Sequence, residues 1–195
     1  MVYENLIKEN KEAFLSKVTG IAAKLKVVPD WLMIVFFIEC SLDHRKVNPI
    51  SGATGLIGFM PSTARGLGTS TAALRAMSNV DQLDYVYSYF KPYSGRFNSI
   101  EDLYTVTFFP KALGQPDSYI LQTDTLKADT IARQNPAYDL NFDKAITYGE
   151  LKTAIRKRIP SDAVIFLKKK LTPVNLILFS LLVLLIFWIS KSIKI

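Results

Sequence analysis

One cysteine and one histidine are all that the 195 residues hold of the two side chains that build most bridges and zinc sites. Cys40 cannot close a disulfide within the chain, and with His44 it cannot complete a zinc site unless carboxylates join. Disulfide-stapled and zinc-finger classes are thereby excluded. Strand-like alternation of apolar and polar residues is also scarce, so little competes with helical patterns. The opening segment, MVYENLIKENKEAF, is polar and lacks the charged, apolar and small-residue regions of a signal peptide, so no secretion leader is expected. Acidic residues are nearly missing from one end: residues 151–195 hold Asp162 alone against nine Lys and Arg, whereas residues 1–150 hold 16 acids and 15 bases. The overall net charge of +7 therefore belongs to the C-terminal segment and does not describe a basic domain.

What the chain does have is room for one globular domain of ~100–150 residues and something more. The extra part announces itself at Pro173–Ile189, PVNLILFSLLVLLIFWI, where Asn175 and Ser180 are the only polar side chains. Extended through Leu171 and Ser190, a helix at ~1.5 Å per residue covers ~30 Å, the thickness of a bilayer's hydrocarbon core. Lys168, Lys169 and Lys170 precede it, Lys191 and Lys194 follow it, and Trp188 sits at an interfacial position. The expectation is a single-pass membrane protein, anchored to the lipid bilayer through residues 173–190. With Arg156, Lys157 and Arg158 also counted, more positive charge lies before the span than after it, which keeps the N-terminal part on the cytoplasmic side. Anionic headgroups account for these bases at ~1 kcal/mol each, and no nucleic-acid partner is expected.

The rest reads as helices. Phe14, Val18, Ile21, Ala22 and Leu25 recur at helical spacing over residues 9–26. Pro29 followed by Asp30 is a helix start, and Trp31 to Ile38 is then unbroken apolar sequence. Val80, Leu83, Tyr87 and Phe90 mark another helix, and Leu103 and Val106 one more before Pro110. Residues 48–68, NPISGATGLIGFMPSTARGLG, are punctuated by Gly and Pro and read as a compact loop with short helical turns.

Glu39 follows eight consecutive apolar residues, on a helix that offers no polar face for a solvated carboxylate. Half-buried, it would have a raised pKa and could act as a general acid near neutral pH. The alternative is a Glu exposed at a fraying helix end. Asp43 falls one helical turn beyond and shares the face if the helix continues. Cys40 and His44 are also four apart, but catalytic Cys–His pairs meet from separate parts of a fold and no orienting third group is evident, so a buried structural thiol is expected.

Glu39-Cys40, Asn48-Pro49, Ser51-Gly52-Ala53-Thr54-Gly55-Leu56 and Pro61-Ser62-Thr63-Ala64 follow one another in order. This run resembles the lytic transglycosylase family of the lysozyme-like, goose-type fold, in which a Glu-Ser pair ends a buried helix before a Gly-Ala-x-Gly-Leu-x-Gln loop and a Pro-x-Thr-Ala helix start. Asp81-Gln82-Leu83 through Tyr89, and Asp102-Leu103-Tyr104 through Phe109-Pro110, extend the likeness to phage peptidoglycan-degrading domains over residues 10–125. The resemblance implies that Glu39 is the catalytic acid and base, that Gly55, Leu56 and Phe59 wall the sugar groove, and that Tyr104 is a substrate-side tyrosine. It implies cleavage between the muramoyl and glucosaminyl sugars of peptidoglycan by a single carboxyl group, without a cofactor, leaving a 1,6-anhydro end. Cys40 replaces the family's serine, and Gly58 stands where a substrate-contacting glutamine is usual.

Residues 139–150, DLNFDKAITYGE, carry a second pattern. Asp139, Asn141 and Asp143 occupy loop positions 1, 3 and 5, the Ala145 carbonyl position 7 and Glu150 position 12, the EF-hand spacing for calcium. Lys144 departs from the usual glycine, which must take a left-handed conformation. A metal-free loop of Asx turns between two helices is the alternative.

Together these readings give a mainly α chain. A lysozyme-like domain spans 1–125 and an EF-hand-like helix-loop-helix connector 126–160. A basic linker at 161–172, a transmembrane helix at 173–190 and a short basic tail at 191–195 complete it. The expected setting is a phage particle, with other virion proteins as partners and a virion internal membrane or the host membrane as the home. A non-catalytic wall-binding or structural virion protein is the alternative function.

Overall fold

The computed structural model describes residues 1–168, and its architecture is helical, with no strand among those residues. Within residues 1–159 the α-helices follow in order: α1 (Lys11–Leu25), α2 (Pro29–Cys40), α3 (Pro61–Gly66), α4 (Thr71–Ala76), α5 (Asn79–Phe90), α6 (Ile100–Phe108), α7 (Ala128–Gln134) and α8 (Tyr148–Arg158). Their starts are written in the sequence. Pro29 and Pro61 open α2 and α3, where a missing N–H costs nothing. Ser70, Ser78 and Ser99 accept backbone N–H groups of Ala73, Asp81 and Asp102, and Thr147 with Glu150 forms a reciprocal capping box on α8.

The apolar run of α2 makes it the central element. Leu32, Met33, Ile34, Val35 and Phe36 are all fully buried, a helix without a solvent face, flanked by α1 and α6. Helix α1 presents Phe14, Val18, Ile21, Ala22 and Leu25 to the core, the same five residues that the spacing selects. On α5 the buried face is Asn79, Gln82, Leu83, Val86 and Phe90, so Val80 and Tyr87 lie off it and a polar residue, Gln82, lies at its centre.

Helix α8 packs on α6, and residues 1–159 form one compact unit. Of the segment 126–160, expected as a connector, residues 126–159 thus belong to the same compact unit as residues 1–125. Tyr148 fastens it, donating its hydroxyl to Asp102 Oδ1 at 3.0 Å. Residues 161–168 are helical where a linker was expected. The expected span at 173–190 and the tail at 191–195 lie outside the described residues; among those described, no helix is long and apolar enough to cross a membrane.

Candidate functional site

Helix α2 ends because Ser41 and Leu42 both take left-handed backbone conformations, at φ of 55° and 62°. This turn decides what stands near Glu39. The helix does not continue, so Asp43 is not on the Glu39 face. It is exposed, and its Oδ1 accepts the Arg45 N–H at 3.0 Å. Cys40 and His44 are parted as well. The buried thiol donates to the Phe36 carbonyl at 3.2 Å and lies 3.7 Å from the Leu56 carbonyl, while His44 Nε2 lies 3.2 Å from Glu9 Oε1. Burial pushes the Cys40 thiol up to about 12, which leaves it protonated and unreactive at neutral pH.

The glycine-rich segment folds against the end of α2. Thr54 and Phe59 exchange backbone hydrogen bonds of 3.0 and 2.8 Å, and Gly58 N–H reaches the Gly55 carbonyl at 3.1 Å, so residues 54–59 form a tight turn. One buried amide holds that turn in place. Gln82 accepts the Leu56 N–H at 3.1 Å and donates to the His44 and Leu74 carbonyls at 2.6 and 2.7 Å. Gly55 is required there twice over: its φ is +87°, and a Cβ would stand 2.6 Å from Gln82 Oε1.

Between this turn and the helices runs a cleft of two lobes, of about 360 and 440 Å³, which share Glu39, Asn48, Ala53, Gly58 and Arg158. Lys46, Pro49 and Gly55 extend one lobe; Ile57, Tyr104, Thr107, Phe108, Asn135 and Tyr138 extend the other. Of the residues assigned to the groove wall by resemblance, Tyr104 and Gly55 line it. Leu56 and Phe59 do not: they are 0% and 2% exposed, and they support the turn from the core side.

Glu39 is the only carboxylate lining either lobe among the described residues. Desolvation raises its pKa, opposed by a hydrogen bond from the Tyr104 hydroxyl and by the charges of Arg158 and Lys46. The buried Tyr104 hydroxyl is pushed far up by desolvation and by the neighbouring Glu39, so it stays a donor. The group is therefore a carboxyl lining a cleft, its pKa raised by burial and partly held down by a phenol and two cations.

Arg158, the last residue of α8, carries no local signal in the sequence, where it stands with Arg156 and Lys157 among the charges that precede the apolar segment. Its guanidinium lies 5.3 Å from the Tyr104 ring centre and 6.0 Å from that of Tyr138, and it donates to the Tyr138 hydroxyl. Arg156 is also used within the domain, with Nε 2.6 Å from Glu101 Oε1. Only the packing of α8 on α6 reveals these roles. Asn135 and Tyr138 carry no signal for the same reason, each coming to the cleft from a loop distant in sequence, whereas Asn48 lies in the Asn48-Pro49 motif, which assigns it no role.

The expected calcium loop has its residues in order. Asp139 Oδ2 accepts the Lys144 N–H at 3.1 Å, Asn141 Oδ1 accepts the Asp143 N–H at 3.1 Å, and Asp143 Oδ1 accepts the Ala145 N–H at 2.9 Å. Lys144 holds the left-handed conformation, at φ of 69°. Glu150 is turned back onto the start of α8, where Oε2 accepts both the N–H and the hydroxyl of Thr147.

No protein-family model matches the chain, and neither a curated protein nor a solved structure matches it.

Proposed function

We propose that the chain is a peptidoglycan lytic transglycosylase of the lysozyme-like fold that works with one carboxyl group, Glu39. The observation that carries this reading is a solitary, half-buried carboxyl with a raised pKa, lining a two-lobed cleft that holds no second acid among the described residues. A glycosidase that activates water or forms a covalent intermediate needs a partner carboxylate at ~5–10 Å. A transglycosylase does not. Glu39 gives its proton to the glycosidic oxygen as the bond from the muramoyl C1 breaks. The resulting carboxylate then takes the proton of the 6-hydroxyl as O6 bonds to C1, closing a 1,6-anhydro ring and restoring the acid. The sequence resemblance supplies the substrate class, and the cleft supports the chemistry.

In this reading residues 173–190 anchor the enzyme in a bilayer, and a phage particle with an internal membrane delivers it to the wall during entry or lysis. No cofactor is needed for the cleavage. Gly58 favours a second reading, a wall-binding virion protein without activity, because it removes the amide that resembling enzymes place beside the substrate.

The test is mass spectrometry of the products released from purified murein by the full chain and by Glu39→Gln. Glu39-dependent fragments with 1,6-anhydromuramic ends support the transglycosylase. Reducing ends identify a hydrolase, and wall binding without release identifies the binder.

A further inference from the structure

We infer that residues 139–150 form a calcium-binding site, an assignment independent of the activity proposed for the cleft. Spacing alone does not carry this, since Asx turns arrange Asp and Asn in the same way without metal. What carries it is Asp139. The residue is 8% exposed, and its Oδ1 is buried with no hydrogen-bond partner, while the other oxygen of the same carboxylate holds the Lys144 N–H inside the loop. A carboxylate oxygen removed from water with no donor is costly, and a bound cation is what relieves it.

The remaining donors fit a hard ion. Asn141 and Asp143 stand at positions 3 and 5, where Asn141 Oδ1 accepts the Asp143 N–H and Asp143 accepts the Ala145 N–H and the Asn141 amide, and the Ala145 carbonyl occupies position 7. The second half of the loop is braced from outside: Leu121 N–H reaches the Ile146 carbonyl at 2.8 Å, and Tyr148 N–H reaches that of Tyr119 at 2.8 Å. Among the described residues no three Asp, Glu, His or Cys side chains yet converge as a finished metal site. The missing closure is Glu150, whose carboxylate is engaged with Thr147 and with the Leu140 N–H at 3.2 Å. Rotation of Glu150 about its side-chain bonds brings two oxygens to position 12 and leaves the Thr147 hydroxyl still capping α8 through the Glu150 N–H.

Lys144 sets the affinity. Its backbone already has the left-handed conformation that the sixth position demands, so the loop shape is in place, but its ammonium opposes the cation. An all-oxygen, flexible loop with six or more donors favours calcium over magnesium, which demands a tighter octahedron. A dissociation constant on the order of 10⁻⁴ M is expected, at the weak end for such loops.

The experiment uses terbium as a calcium probe on the full chain, exciting Tyr148 and Tyr138 and reading sensitised emission, with displacement by calcium and by magnesium. The assignment expects one ion per chain and displacement by calcium at least tenfold more readily than by magnesium. It also expects binding at least tenfold weaker in Asp139→Asn and severalfold tighter in Lys144→Gly. Lys144→Gly guards against a folding defect, because it must gain affinity. Absence of sensitised emission from a chain with a native helical spectrum overturns the site, as does emission that Asp139→Asn leaves unchanged.

Discussion

Glu39 faces Gly58 so closely that a Cβ on the glycine would stand 3.0 Å from carboxylate Oε2. Gly58 also has a φ of +61°, a conformation that costs a side-chained residue roughly 1–2 kcal/mol. Gly58→Ala is therefore expected to lower stability by that modest amount while displacing the carboxyl by a few tenths of an ångström. A shift of that kind in a positioned acid costs about tenfold or more in rate. Paired measurements of murein release and urea unfolding check this; an activity loss no larger than the lost folded fraction would show that Gly58 serves the turn alone.

Burial of Glu39 makes a stability prediction that does not depend on substrate. Desolvation raises its folded pKa above the unfolded value of about 4.3, so the folded state holds the proton more tightly. Stability is then lost as pH climbs from the unfolded pKa through the folded one, because a charged carboxylate must be kept out of water. Glu39→Gln escapes that loss. Its melting temperature should match the parent chain near pH 4 and exceed it at pH 7–8. A difference that stays flat across this range would place Glu39 in solvent.

Helix α1 was legible residue by residue, because an amphipathic helix against one neighbour obeys a single period. Helix α5 was legible only as a helix. The period marks Val80 and Tyr87, which lie off the buried face, and does not mark Gln82, which lies at its centre because backbone groups of Leu56, His44 and Leu74 meet an amide there. Glu39 stood out because eight apolar residues precede it, and Tyr104 only through resemblance. Arg158 and Tyr138 had no local signal at all. Their place in the cleft depends on α8 returning to α6 across some fifty residues, anchored by Tyr148 on Asp102, and no periodicity encodes that contact. Asp43 misled for the opposite reason: helical spacing put it beside Glu39, and two left-handed residues took it away.

Tyr104 and Arg158 both hold the Glu39 pKa down against burial, one by a hydrogen bond and one by charge. Removing either leaves desolvation less opposed. Tyr104→Phe and Arg158→Gln should each move the alkaline limb of the pH–rate profile, where Glu39 loses its proton, to higher pH. Loss of Tyr104 also frees the carboxyl to rotate, so its maximal rate should fall by up to about tenfold. Profiles that keep the parent's alkaline limb in both variants would detach these groups from Glu39.

The buried amide of Gln82 offers the sharpest structural test, because Gly55 and Gln82 are two halves of one contact. Gly55→Ala puts a Cβ where Gln82 Oε1 stands, at 2.6 Å, on a backbone with φ of +87°. Strain and a disrupted buried hydrogen bond together predict a loss of about 3 kcal/mol. Gln82→Leu removes the obstruction but leaves the Leu56 N–H and the His44 carbonyl without their amide partner and the Leu74 carbonyl with the Met77 N–H alone, with a loss of similar size. The double variant is then expected to cost clearly less than the two losses added, since the Cβ no longer meets an amide. Urea unfolding of all four chains measures the coupling, and strict additivity would mean that Gly55 is needed for its backbone angle alone.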